Sequence, residues 1–105
     1  MNPGNTKELF TSVSHLTAAP GKEKLLQETL VSTIVTGRAA DGNRGFVVHV
    51  SKDDPAKFML IEHWTDEEAL ARHKKEPALL RNMEVMKQQA LVKEGPLETH
   101  WTEVE

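Results

Sequence analysis

Cysteine is absent from the 105 residues, which excludes a disulfide framework, a thiolate metal site and a cysteine nucleophile together. Any redox chemistry therefore has to come from a substrate or a bound cofactor. Long apolar runs are missing too: no stretch approaches the roughly 20 apolar residues that span a bilayer. The opening Met1-Asn2-Pro3-Gly4-Asn5-Thr6-Lys7 has no apolar centre of the signal-peptide kind. A cytoplasmic location without a membrane partner is the expectation. Basic character is equally scarce. With a formal net charge of -3 and no basic run longer than Lys74-Lys75, the chain offers no footprint for nucleic acid or an anionic membrane.

What is present fits one domain, residues 9–105, after a flexible polar tail over residues 1–8. A chain of this length hides only about 60 to 65 % of the surface that it exposes when unfolded, so the core is thin and a partner subunit would help to complete it. Leu9 to Thr17 mixes apolar and β-branched residues with small polar ones and predicts a strand. Pro20-Gly21 breaks it, and Pro20 is suited to open a helix, where its missing N–H costs nothing. From Lys22 to Thr36, Leu26, Leu30 and Ile34 recur every four residues as the apolar stripe of an amphipathic helix. Gly37 and Asp41-Gly42-Asn43 are expected to end it.

Phe46 to Val50 and Phe58 to Trp64 then predict two strands joined through Asp53-Asp54-Pro55 and paired antiparallel. Thr65 with Glu68 three residues later has the spacing of a capping box, with Asp66 and Glu67 where a helix dipole favours acids. That helix should break before Pro77 and resume through Leu79, Leu80, Met83 and Met86. Gly95-Pro96 is expected to close it, leaving Leu97, Thr99 and Trp101 for a last strand. The order β-α-β-β-α-β is the split βαβ arrangement of an α+β, ferredoxin-like domain, an antiparallel sheet with helices on one face. Parity puts Ser12, Ser14 and Leu16 on one face of that sheet and Val13 and His15 on the other. The second face, uncovered by helices, would be buried against an identical sheet.

Chemistry-bearing residues concentrate in Glu62-His63-Trp64 and His73. Glu62 and Trp64, two apart on a strand, share a face, and His73 follows Leu70 and Ala69 on the inner stripe of its helix. If that stripe meets that face, a carboxylate, an indole and an imidazole surround one cavity able to hold a flat apolar molecule and move one proton. Structural roles compete with this: His73 as a hydrogen-bonded helix residue, Trp64 as core, Glu62 as the partner of Arg72 or Arg81. His15, His49, His63 and His100 are scattered singly, without metal-ligand spacing, so no metal is expected. Ser12 and Ser14 have no acid-base partner that the sequence names.

The run Phe58-Met-Leu-Ile-Glu62-His-Trp64-Thr-Asp66-Glu-Glu-Ala-Leu70-Ala-Arg-His73 resembles the central motif of the antibiotic biosynthesis monooxygenase family. Leu16-Thr17 to Pro20-Gly21, Gly45 and Asp54-Pro55 extend the likeness over roughly residues 9 to 101. The resemblance implies a homodimeric α/β barrel and, for several members, oxidation of quinols or aromatic phenols by molecular oxygen with no cofactor. It casts His73 as the group that orients or deprotonates the hydroxyl, Glu62 as the group that tunes the site, and Trp64 as cavity wall. Ser14, Leu79 and Met83 complete the candidate substrate contacts. The same fold hosts haem-degrading enzymes, but Met83 stands where their proximal His would be and Ser14 where they have Asn, so the imidazole ligand to haem is missing. A sugar-phosphate isomerase branch would want phosphate-binding Arg or Lys in the cavity. Two readings follow: a cofactor-independent monooxygenase of a quinol-like or phenolic molecule, or a non-catalytic, stress-associated barrel that only binds a small ligand. A purely structural dimer would have its cavity filled by Trp64, Leu79 and Met83.

Overall fold

The computed structural model describes residues 8–104. Seven elements follow one another: β1 (Phe10–Ala18), α1 (Glu23–Ala39), β2 (Asn43–Val50), β3 (Lys57–Trp64), α2 (Glu67–His73), α3 (Pro77–Gln88) and β4 (Val92–Trp101). The strands form one antiparallel sheet in the order β2-β3-β1-β4, the ferredoxin-like α+β topology. Of the expected tail, the first seven residues lie outside the described part.

Alternation along β1 and β3 decides what each face does. Ser12, Ser14, Leu16 and Ala18 on β1, and Phe58, Leu60, Glu62 and Trp64 on β3, are buried, while the residues between them are not. The buried set faces the helices, where Leu26 and Leu30 of α1 join Leu16, Phe46, Phe58, Leu60 and Leu91 in the main core. Each such side chain contributes about 1.5–3 kcal/mol by leaving water. A smaller cluster of Trp64, Ala69 and Leu70 anchors α2 at one end. On the bare face Val13, Met59 and Ile61 are half-buried, and Val47, Leu97 and Trp101 are exposed.

Four local expectations are corrected. Pro20 sits in the turn before α1, which begins at Glu23 after Lys22. Gly37 does not end α1: the helix runs through it to Ala39, and Gly37 is buried because the Phe46 ring lies where a side chain would stand. At α2 the cap is Asp66, whose carboxylate accepts from Ala69 N at 2.8 Å, rather than a Thr65/Glu68 box. Finally, Gly95-Pro96 lies inside β4 at a register shift against β1, with Gly95 at φ 93° and no room for a Cβ beside the His15 carbonyl. Helix α3 had already stopped. Ala90 takes the left-handed conformation at φ 50°, and Leu91 N and Ala90 N return to the carbonyls of Met86 at 3.0 Å and Lys87 at 3.2 Å, a Schellman closure made without glycine. Fully buried Leu91 locks that closure onto the core.

Candidate active site

Helix α3 covers the sheet without filling the space beneath it. None of its residues is fully buried, and Leu79, Met83 and Met86 overhang the sheet from one side of the helix. The result is a cavity of about 270 Å³ between α3, the end of α2 and the inner face of the sheet. Leu16, Leu60 and Ser14 form part of its floor, with Phe46, Leu30 and Leu70 around them. The lining is largely apolar, so each polar group that reaches it acts without much competition from water.

Glu62 enters from β3. Its Oε1 accepts from Trp64 Nε1 at 3.2 Å. Neither arginine considered for it is its partner; Arg72 reaches Asp41 at 3.8 Å on the surface. Burial pushes the Glu62 carboxyl up to about 7, the Trp64 hydrogen bond and the Lys74 charge pulling against this and Glu98 adding to it. His73 enters from α2, 3 % exposed. Its ring lies against Trp64 with centroids 4.9 Å apart and meets the edge of Phe46 at 6.2 Å. His73 Nδ1 is 3.1 Å from Glu76 Oε1. Pro77 explains why Glu76 is there: the residue before a proline is held extended, as Glu76 is at φ -69° and ψ 135°, and this turns the chain sharply between α2 and α3. The Glu76 N–H donates to the His73 carbonyl at 3.0 Å across the same turn.

Among the described residues, the Ser12 hydroxyl is the one polar side-chain atom sealed from solvent without a partner. Glu62 Oε2, His73 Nε2 and the Ser14 hydroxyl have no protein partner either. They are therefore not sealed, and the cavity lined by these three residues is where they open. At the mouth, Lys74 Nζ donates to Glu98 Oε2 at 2.7 Å, and His100 Nε2 lies 2.6 Å from the same oxygen. Burial pushes the Glu98 carboxyl up, but the bonds from Lys74 and His100 outweigh it and leave the group below its ordinary range.

Five of the six residues singled out in the sequence, Glu62, His73, Ser14, Leu79 and Met83, thus line one cavity. Trp64 does not. It is completely buried behind the wall, where it holds the Glu62 carboxylate with its N–H and backs the His73 ring with its face. The physical reason is that Ala69, Leu70, Phe10 and Ala40 close around it. Among the remaining histidines, His63 is bound to Thr11 Oγ1 at 2.8 Å on the bare face, and no group of three or more His, Asp or Glu side chains among the described residues could hold a metal. Sequence reasoning missed Glu76, Lys74 and Glu98. The His-x-x-Glu-Pro spacing carried a signal for Glu76; the Lys74 to Glu98 contact spans 24 residues and carried none.

The family model for antibiotic biosynthesis monooxygenase matches residues 9–85. The chain belongs to that family. No curated protein matches it. Among solved structures, PA3566 from Pseudomonas aeruginosa is 26 % identical, with 97 % of this chain and 100 % of that one covered and a TM-score of 0.85. An antibiotic biosynthesis monooxygenase candidate from Nitrosomonas europaea is 18 % identical over 92 % and 91 % of the two chains, at a TM-score of 0.86. Rv0793 from Mycobacterium tuberculosis, 21 % identical over 92 % and 96 %, has a TM-score of 0.82. The latter two are similar in fold. No described helix of this monooxygenase-family chain is long and apolar enough to cross a membrane.

Proposed function

We propose that the protein is a cofactor-independent monooxygenase that oxidises a quinol-like or phenolic aromatic molecule with molecular oxygen. The observation that carries this reading is the furnishing of the cavity: apolar walls with a carboxyl, an imidazole nitrogen and a hydroxyl open to it. A flat ring fits such walls, and its hydroxyl needs a proton acceptor. His73 Nε2 takes that proton, and Glu62 and Ser14 bind the oxygens of the ring. The resulting anion is electron-rich enough to reduce oxygen itself. Oxygen adds at a ring carbon ortho or para to the phenolate that carries hydrogen, and the peroxide loses that C–H proton as the O–O bond breaks. An arenol and O₂ become a quinone and water, both hydrogens leaving in the water. Exclusion of bulk water by the apolar walls protects the anion meanwhile.

The bare sheet face supports a homodimer. Val47, Leu97 and Trp101 expose 43 %, 65 % and 59 % of their surface there, and an identical sheet laid against them would remove it from water. The single-domain division at residue 9 and the cytoplasmic location belong to the same proposal. Oxygen uptake with a panel of hydroquinones and polycyclic phenols tests the reaction, and a His73→Ala variant should be slower by about 10² to 10⁴-fold, as expected for loss of a general base. No turnover on any member, or an unchanged rate in the variant, would refute it. Thermal stabilisation by compounds that are never transformed would favour the binding-only alternative. The filled cavity that a purely structural module requires is not what the structure has: Leu79 and Met83 line open space and Trp64 stands outside it.

A further inference from the structure

A neutral imidazole has one N–H and one lone pair, and which nitrogen carries which decides whether it can act as a base toward a given side. For His73 the choice is made outside the cavity. Its Nδ1 lies 3.1 Å from Glu76 Oε1, and a carboxylate only accepts hydrogen bonds. The hydrogen must therefore be on Nδ1, and the lone pair on Nε2, the nitrogen that opens to the cavity. Free imidazole side chains favour the opposite arrangement, so something has to hold this one.

We infer that Glu76 is the positioning residue of this site: its carboxylate fixes His73 as the Nδ1–H form and so gives the cavity a proton acceptor at Nε2. Three features of the fold serve that contact. Pro77 holds the Glu76 backbone extended, the Glu76 N–H to His73 carbonyl bond closes the turn, and Trp64 blocks rotation of the ring from behind. The carboxylate also stabilises the imidazolium formed once the substrate's proton has arrived, so that acceptor and counter-charge lie on opposite edges of one ring. Glu76 does not line the cavity, and it acts on substrate only through His73. The inference rests on the reading of His73 as the group that takes the hydroxyl proton.

Nitrogen-15 NMR of the histidine-labelled chain at pH 8, without substrate, tests it. The His73 signals, assigned by their loss in His73→Ala, should show a protonated Nδ1 and a pyridine-like Nε2. Glu76→Ala should move them toward the Nε2–H form, whereas Glu76→Gln, whose amide oxygen still accepts, should keep the native pattern. A native Nε2–H form, or a pattern indifferent to Glu76→Ala, overturns the inference. Glu76 has a third of its side chain exposed, so both variants should fold. With a substrate in hand, Glu76→Ala should lower kcat by about tenfold or more with little change in KM, and Glu76→Gln should recover part of the loss. Because the tautomer is read with no substrate present, failure of the phenol panel would sink the monooxygenase reading while leaving this result to stand or fall on its own.

Discussion

Trp64 on β3 and Trp101 on β4 stand at the same end of one sheet, on either side of β1, yet one is completely buried and the other 59 % exposed. The difference is the face. Trp64 points toward the helices, where its indole N–H is used by Glu62 and its ring by His73. Trp101 points away from them, donating within its own strand to Thr99 Oγ1 at 2.8 Å. One face is finished within the chain and has become a site in which burial alters a carboxyl group. The other carries Val13, Val47, Met59, Ile61, Leu97 and Trp101, half-buried or exposed, among threonines and histidines. The helices cover one side of this sheet and leave the other bare, the side that the proposed dimer would cover.

Trp64→Ala should be the most damaging change to the finished face, costing about 3–5 kcal/mol by chemical denaturation, since it leaves a cavity and takes the hydrogen bond from Glu62. Glu62→Gln comes next and acts with the opposite sign. The folded carboxyl at about 7 lies above its ordinary 4.5, so the stability that this group contributes is complete below about 4.5 and is lost as the pH rises through about 7. The glutamine variant should lack that decline and exceed the native chain at pH 8 by roughly 3 kcal/mol in urea melts. Equal pH dependence in both would show that Glu62 is not the buried acid the fold implies. Gly37→Ala, which drives a methyl into the Phe46 ring under α1, should cost about 1–3 kcal/mol. Trp101→Ala should change the stability of the isolated subunit by under about 0.5 kcal/mol but shift a dimer toward monomer in sedimentation; a large loss of subunit stability would break the contrast between the two faces.

Much of this was legible because it is periodic. The alternation of Ser12, Ser14 and Leu16 against Val13 and His15, and the four-residue spacing of Leu26, Leu30 and Ile34, contain the sheet faces and the covering helix. Glu62 and His73 could be placed in one cavity on the same grounds. What could not be read depended on partners distant in the chain. Gly37 looked like a helix end because its reason for being glycine, the Phe46 ring, arrives from β2. The end of α3 was invisible because Ala90 does there what glycine ordinarily does, held by Leu91 in the core. Trp64 was assigned to the cavity wall because its strand position gives the face it points to and not the depth to which Phe10, Ala40, Ala69 and Leu70 enclose it.

The sequence by itself determined the element order, the antiparallel α+β fold, the apolar face and the residue types available for proton transfer, since each follows from local spacing and from which side chains exist at all. Only the tertiary structure decided that α3 would leave a cavity beneath it, that Trp64 would stand behind Glu62 and His73, and that Glu76 would return to Nδ1 of the same histidine. Those outcomes are set by how closely helices can approach a sheet and by which polar atoms remain unpartnered once they have done so, quantities that arise when separate segments meet.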